Sequence, residues 1–161
     1  MAKKKTPKWM GKMRKLTKKE IKEFLAGPIV ARLATVKPDG SPYVAPVWQY
    51  YDGKAIHFIP RERSSFVKNI KADPRICISC ALDGAPGTRV IFEGKAEICE
   101  GPVVMKGRTL RIARQMATRY LGKNGPAYLE PTREWPRYLV RMVPDKVTSW
   151  DGVGWPSKYF K

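Results

Sequence analysis

A dense cationic turn, Arg61-Glu62-Arg63-Ser64-Ser65 with Lys68 one helical turn further on, holds the residue types from which anion sites are built. Arginine presents a planar fork of donors that matches phosphate or carboxylate oxygens, and serine hydroxyls add neutral donors. Ser64 or Ser65 is also a natural N-cap for the pattern that follows, in which Phe66, Val67 and Ile70 are apolar. Free backbone N–H groups at the start of that helix would face the same anion. Phosphate binding is the chemistry this turn could do; a solvated basic turn is the competing reading.

Other reactive residues are sparse. His57 is the only histidine. It alternates with Ile56 and Phe58, so it is expected on the strand surface, facing away from them. Cys77 and Cys80 form a lone C-x-x-C. Their odd offset sends them to opposite faces of a strand, and zinc needs four ligands, so no metal site is expected. No nucleophile elbow is present, and Gly152-Val153-Gly154 has no helix after it, which excludes a dinucleotide fingerprint. No catalytic side chain is assigned. An enzyme with this sequence would leave the hard chemistry to a cofactor.

The elements that must position the turn follow from its flanks. Apolar runs at 29–36, 43–51 and 54–59 are separated by Lys37-Pro38-Asp39-Gly40 and Asp52-Gly53, the signals of antiparallel hairpins. Pro46 interrupts the second run and belongs at an edge or a bulge. Thr17-Lys18-Lys19-Glu20 reads as a capping box opening a helix over 18–26, and Asp73-Pro74 stops the helix after the turn. Further strands are expected at 76–82, 88–99, 138–143 and 147–150. A helix is expected over 104–121 and a loop over 123–135. Gly101-Pro102 is expected to end the strand before that helix. The class is therefore mainly β, six to seven antiparallel strands with short helices, one of them between strands near the C-terminal half.

The 161 residues suffice for one domain, here 16–161, after a basic flexible tail at 1–15. Apolar content of 43% excludes a disordered chain, and the net charge of +18 points to anionic ligands or partners. Lys3, Lys4, Lys5, Lys8, Lys12, Arg14 and Lys15 form either a solubilising extension or an arm for nucleic acid. Trp9 and Met10 are expected to dock on the body or on a partner subunit, and Trp150 and Trp155 near the terminus to pack on something. Three cysteines, an odd number, fit free thiols in a reducing compartment. No run is long enough to span a membrane, and Met10-Gly11-Lys12-Met13 is no signal core, so a cytoplasmic location is expected.

Four segments in order, Arg32-Leu33-Ala34-Thr35, Asp39-Gly40-Ser41-Pro42, Pro46-Val47-Trp48 and Asn69-Ile70-Lys71-Ala72-Asp73-Pro74-Arg75, together resemble the split-barrel flavoprotein family typified by pyridoxamine 5'-phosphate oxidase. The resemblance implies a homodimeric split β-barrel that holds FMN, or the deazaflavin F420, between subunits and passes hydride to or from a small organic substrate. It places the phosphate against Arg61, Arg63, Ser64, Ser65 and Lys68. The ring would lie along Ala45, Pro46, Val47 and Trp48 and along Phe58, Ile59 and Pro60. Trp150 matches an aromatic that contacts the flavin at the end of the last strand.

Two positions depart from the oxidase itself. Its adjacent Arg-Lys for the flavin phosphate is Ser65-Phe66 here, and its Arg-Leu-His signature is replaced by Gly154-Trp155-Pro156-Ser157-Lys158-Tyr159. Oxidation of pyridoxamine phosphate is therefore not expected. The alternatives are a basic nucleic-acid-binding protein and a flavin carrier or sensor without turnover.

Overall fold

Thr17 and Glu20 close the expected capping box at the start of α1 (Lys18–Ala26) in the computed structural model, which describes residues 13–84 and 87–152. The backbone N–H of Glu20 donates to Thr17 Oγ1 at 3.2 Å, and that of Thr17 donates to Glu20 Oε2 at 2.8 Å. Two otherwise orphaned donors are thereby satisfied. Arg14 pairs through its backbone with Asp151 and through its guanidinium with Glu20 and Asp151. The expectations for Trp9, Met10 and Trp155 lie outside the described residues.

Two antiparallel sheets enclose one core. The first runs in the order β2 (Pro42–Val47), β1 (Ala31–Val36), β5 (Arg75–Ala81), β6 (Arg89–Lys95) and β9 (Lys146–Trp150). The second runs β3 (Tyr50–Tyr51), β4 (Ile56–Phe58), β8 (Arg137–Met142) and β7 (Glu97–Val103). Leu33, Ile78 and Phe92 from the first sheet meet Ile56, Phe58, Val140 and Met142 from the second. This is a split barrel, mainly β as expected.

The described residues hold nine strands rather than six or seven, because two expected strands are each shared between the sheets. The 43–51 run passes from β2 to β3 at Trp48 and Gln49. The 88–99 run passes from β6 to β7 at Ala96, whose N–H is held by Pro74 O at 2.7 Å. Apolar alternation continues through such corners, so it does not reveal them. Gly101-Pro102 does not end β7, which continues to Val103. Gly101 has φ +107, and a Cβ there would collide with the carbonyl of Arg137. Glycine is what lets β7 lie this close to β8.

The helices fix the two faces of the second sheet differently. α2 (Ser65–Ala72) contributes Phe66, Val67 and Ile70 to the barrel core, and Asn69 Nδ2 donates to Thr35 Oγ1 of β1 at 3.0 Å. α3 (Gly107–Leu121) covers the outer face, with Ile112 and Met116 against Leu139. The expected loop after it contains a 3-10 helix, Gly125–Thr132. A Cβ on Gly125 would collide with the carbonyl of Ala117, so this helix approaches α3 where it carries no side chain.

α3 also explains a correction. His57 is 1% exposed, not on a free strand surface. Its face of β4 is the one that carries Tyr50 and Leu139, which α3 covers. His57 Nε2 lies 2.9 Å from Asp52 Oδ2, in the turn before β4. Cys80 is fully buried and Cys77 half-buried on the opposite face, and all three thiols are free. Burial pushes the Cys80 thiol up to about 12. Among the described residues no three His, Cys, Asp or Glu side chains converge on a metal position, and no helix is long and apolar enough to cross a membrane.

Candidate functional site

Pro46 sits on β2, which among the described residues pairs only with β1 and is there an edge strand. An edge tolerates the missing N–H of proline. From there the chain turns through Trp48 and Gln49 into the second sheet, and this link is held firmly. Gln49 is fully buried. Its backbone N–H donates to Tyr120 Oη at 3.1 Å and its Nε2 to Leu25 O at 3.0 Å. Arg119 donates to both Gln49 O and Leu25 O at 3.0 Å. Trp48 is left stacked on Tyr120 and tilted against Tyr128, with centroids 4.9 and 5.5 Å away.

Beside Trp48 a cavity of about 290 Å³ opens between this link, the corner from β4 into α2, and the α3 and 3-10 helices. Pro46, Val47 and Trp48 form one wall. Phe58, Ile59, Pro60 and Phe66 form a second, and Met105, Ala113, Met116 and Leu129 a third. Arg61, Ser64 and Arg137 supply the polar end. Ser64 is the N-cap residue by backbone geometry, yet its hydroxyl makes no capping bond. That hydroxyl remains available to the cavity.

Of the residues singled out in the sequence, Pro46, Val47, Trp48, Phe58, Ile59, Pro60, Arg61 and Ser64 line this one space. The others do not. Ala45 points into the barrel core. Arg63 lies in an adjoining groove, where it and Arg61 stand over the Trp135 ring at 5.4 and 5.2 Å. Ser65 turns its hydroxyl to Tyr43 Oη at 3.1 Å, and Lys68 is on the exposed side of α2. Trp150 lies on β9 under Arg89, at 6.0 Å, away from the cavity of its own chain.

Arg137 is the residue that sequence reasoning missed. It is 7% exposed, and its Nη2 donates to Thr132 Oγ1 at 2.7 Å while its Nε has no partner among the described residues. Burial, then the nearby Arg61, pull its pKa below the ordinary arginine value, yet a guanidinium stays charged in proteins. Among the described residues no carboxylate pairs with Arg61, Arg63 or Arg137. Nothing in the sequence marks Arg137, which precedes the strand expected at 138–143 and opens β8 in the structure; its burial comes from β7, β8 and the 3-10 helix meeting there. A cavity with flat apolar walls and a cationic end can hold a planar ligand by its body and an anion by its end.

Residues 17–151 match the family model described as pyridoxamine 5'-phosphate oxidase. Among solved structures, a conserved hypothetical protein from Mycobacterium tuberculosis is 28% identical with a TM-score of 0.67, covering 84% of this chain and 85% of that one. An F420 reductase is 26% identical with a TM-score of 0.64, covering 79% and 94%. A FAD-binding protein from Mesorhizobium loti, 20% identical with a TM-score of 0.61 over 88% and 98%, shares the fold. No curated protein sequence matches. With the family model spanning nearly the whole described chain, this protein belongs to the pyridoxamine 5'-phosphate oxidase family of split barrels.

Proposed function

We propose that this protein is a flavin-dependent oxidoreductase using FMN or the deazaflavin F420, working as a homodimer on a small organic substrate. The observation that carries the reading is the apolar cavity running from Trp48 to Arg61 and Ser64, in a chain of this family. The residues fit such a group. Trp48, Ile59 and Met116 offer flat apolar contact for a ring, and Arg61 and Ser64 offer donors to a phosphate. The partnerless Nε of Arg137 is a buried donor that an anion would satisfy.

Once bound, the flavin supplies the hydride chemistry. The chain's own contribution is positioning and exclusion of water. Trp48 is braced by Tyr120 and Tyr128, so the wall it offers is rigid before any ligand arrives. Leu129 and Met105 keep water from the apolar end. Trp150 would reach a ring only from the partner subunit. Exposed Val44, at 60%, on edge strand β2 is apolar surface that a partner would cover.

The test is direct. The purified protein is examined by absorption and mass spectrometry for a bound flavin, then titrated with FMN and with F420. Micromolar binding of one of them, with substrate-dependent bleaching of its visible band, is the expected result. Failure of both to bind would overturn the reading. Binding without turnover on any reductant or acceptor would leave a carrier or sensor.

One observation favours a second reading. The outer side of α3 carries exposed Arg108, Arg111 and Arg114 with Lys106 before it, none ion-paired among the described residues. With the net charge of +18 this surface suits a polyanion. Tight RNA or DNA binding that falls steeply with salt, in the absence of flavin binding, would favour it.

A further inference from the structure

Arg137 is held in place from three sides before any ligand arrives. Its residue bridges Arg61 across the end of the second sheet, where Tyr138 N–H donates to Pro60 O at 3.0 Å and Glu62 N–H to Pro136 O at 3.1 Å. β7 closes the other side through Gly101, and Thr132 takes one guanidinium donor. The side chain lines the cavity, and its Nε–H has no acceptor among the described residues. A buried guanidinium without a carboxylate costs folding free energy, and the like charge of Arg61 adds to that cost. A purely structural clamp on the 3-10 helix would need only a neutral donor to Thr132.

We propose that Arg137 is the anion-binding residue of the cavity, which with Arg61 receives the phosphate or carboxylate end of a ligand whose apolar body lies against α3. This rests on the flavin reading in taking the ligand to be a phosphorylated flavin, and it deepens that reading by moving the anion contact inward from the exposed turn. Ser65 and Lys68, which face elsewhere, take no part. Preorganised, partly dehydrated donors of this kind make charge-assisted hydrogen bonds stronger than those at the surface.

The experiment compares FMN with riboflavin, which differ by the phosphate alone, on the full-length parent, Arg137→Met and Arg137→Lys, with Lys19→Ala on α1 as control. Affinity is read by titration, and melting temperature is read with and without inorganic phosphate. The parent should bind FMN more tightly than riboflavin and should be stabilised by phosphate. Arg137→Met should weaken FMN roughly tenfold or more, leave riboflavin within about twofold and abolish the phosphate shift. Without ligand it should melt no lower than the parent, since an unpaired buried charge is gone. Arg137→Lys should keep part of the FMN preference, having the charge without the fork.

An unchanged ratio of FMN to riboflavin affinity in Arg137→Met overturns the proposal, as does a parent that shows no phosphate-dependent effect in either measurement. A ligand-free melting temperature well below the parent's, with FMN preference intact, assigns Arg137 the clamp role instead. If Arg137→Met does not fold, the ratio in Arg137→Lys decides, and an unchanged ratio there overturns the proposal. A phosphate shift that depends on Arg137 in a protein that binds no flavin would sustain this inference while the flavin reading falls.

Discussion

Trp48 and Tyr120 lie face to face, their ring centroids 4.9 Å apart and their planes parallel. Tyr120 also donates its hydroxyl hydrogen to Ile29 O at 2.7 Å and accepts from the Gln49 N–H at 3.1 Å. One side chain of α3 thus sets both the wall of the cavity and the corner between the sheets. Tyr120→Phe keeps the stack and leaves the Gln49 N–H and the Ile29 carbonyl without this partner. A loss of about 1–3 kcal/mol in denaturant unfolding is expected. A variant as stable as the parent would show that the corner holds without Tyr120.

Arg61 and Arg63 share the groove beside Trp135, but of the two only Arg61 also lines the cavity. Arg61→Ala should therefore weaken FMN binding by roughly tenfold, and Arg63→Ala by less. Removing residues 1–12 should change it within about twofold, because the proposed anion contacts are those of Arg61 and Arg137. Isothermal titration of the three variants tests this order, and an equal effect of Arg61 and Arg63 contradicts it.

Glu20 is held down to about 2 from an ordinary 4.5, first by its hydrogen bond to Arg14 and then by the Thr17 N–H. Its folded-state value is depressed, so the unfolded chain takes up the proton first as pH falls. The contribution is complete above about pH 4.5 and is lost as pH drops toward 2. Asp73, held to about 2 from an ordinary 3.8 first by its hydrogen bond to Arg75, acts with the same sign between those values. Glu20→Gln should flatten the loss of stability over that range, as followed by circular dichroism. An unchanged slope would show that the acid transition lies with other groups.

Val44 on the edge of the first sheet and Tyr128 at the mouth of the cavity are 60% and 50% exposed. If a second copy covers the β2 edge, Val44→Lys should shift sedimentation toward monomer and lower flavin affinity with it. A stable monomer that binds flavin like the parent would remove the dimer from the proposed function.

Much of the fold was legible because it is local. The Thr17–Glu20 capping box, the turns at Gly40 and Gly53, the stop at Asp73-Pro74 and the edge position of Pro46 each depend on groups a few residues apart. The offset of Cys77 and Cys80 decided their faces by pleat geometry alone. Eight residues that the family resemblance singled out, Pro46 to Trp48, Phe58 to Arg61 and Ser64, line one cavity. What tertiary structure decided involves partners far apart in the chain. His57 is buried because α3, from residue 107 onward, covers its face of β4. The 43–51 run bends at Gln49 because Leu25, Arg119 and Tyr120 hold it there. Arg137 becomes a buried cation, without a carboxylate partner among the described residues, only where Gly101, Arg61 and Thr132 converge on it. Periodicity reports which faces are apolar, but burial of a polar side chain depends on which distant element arrives to cover it.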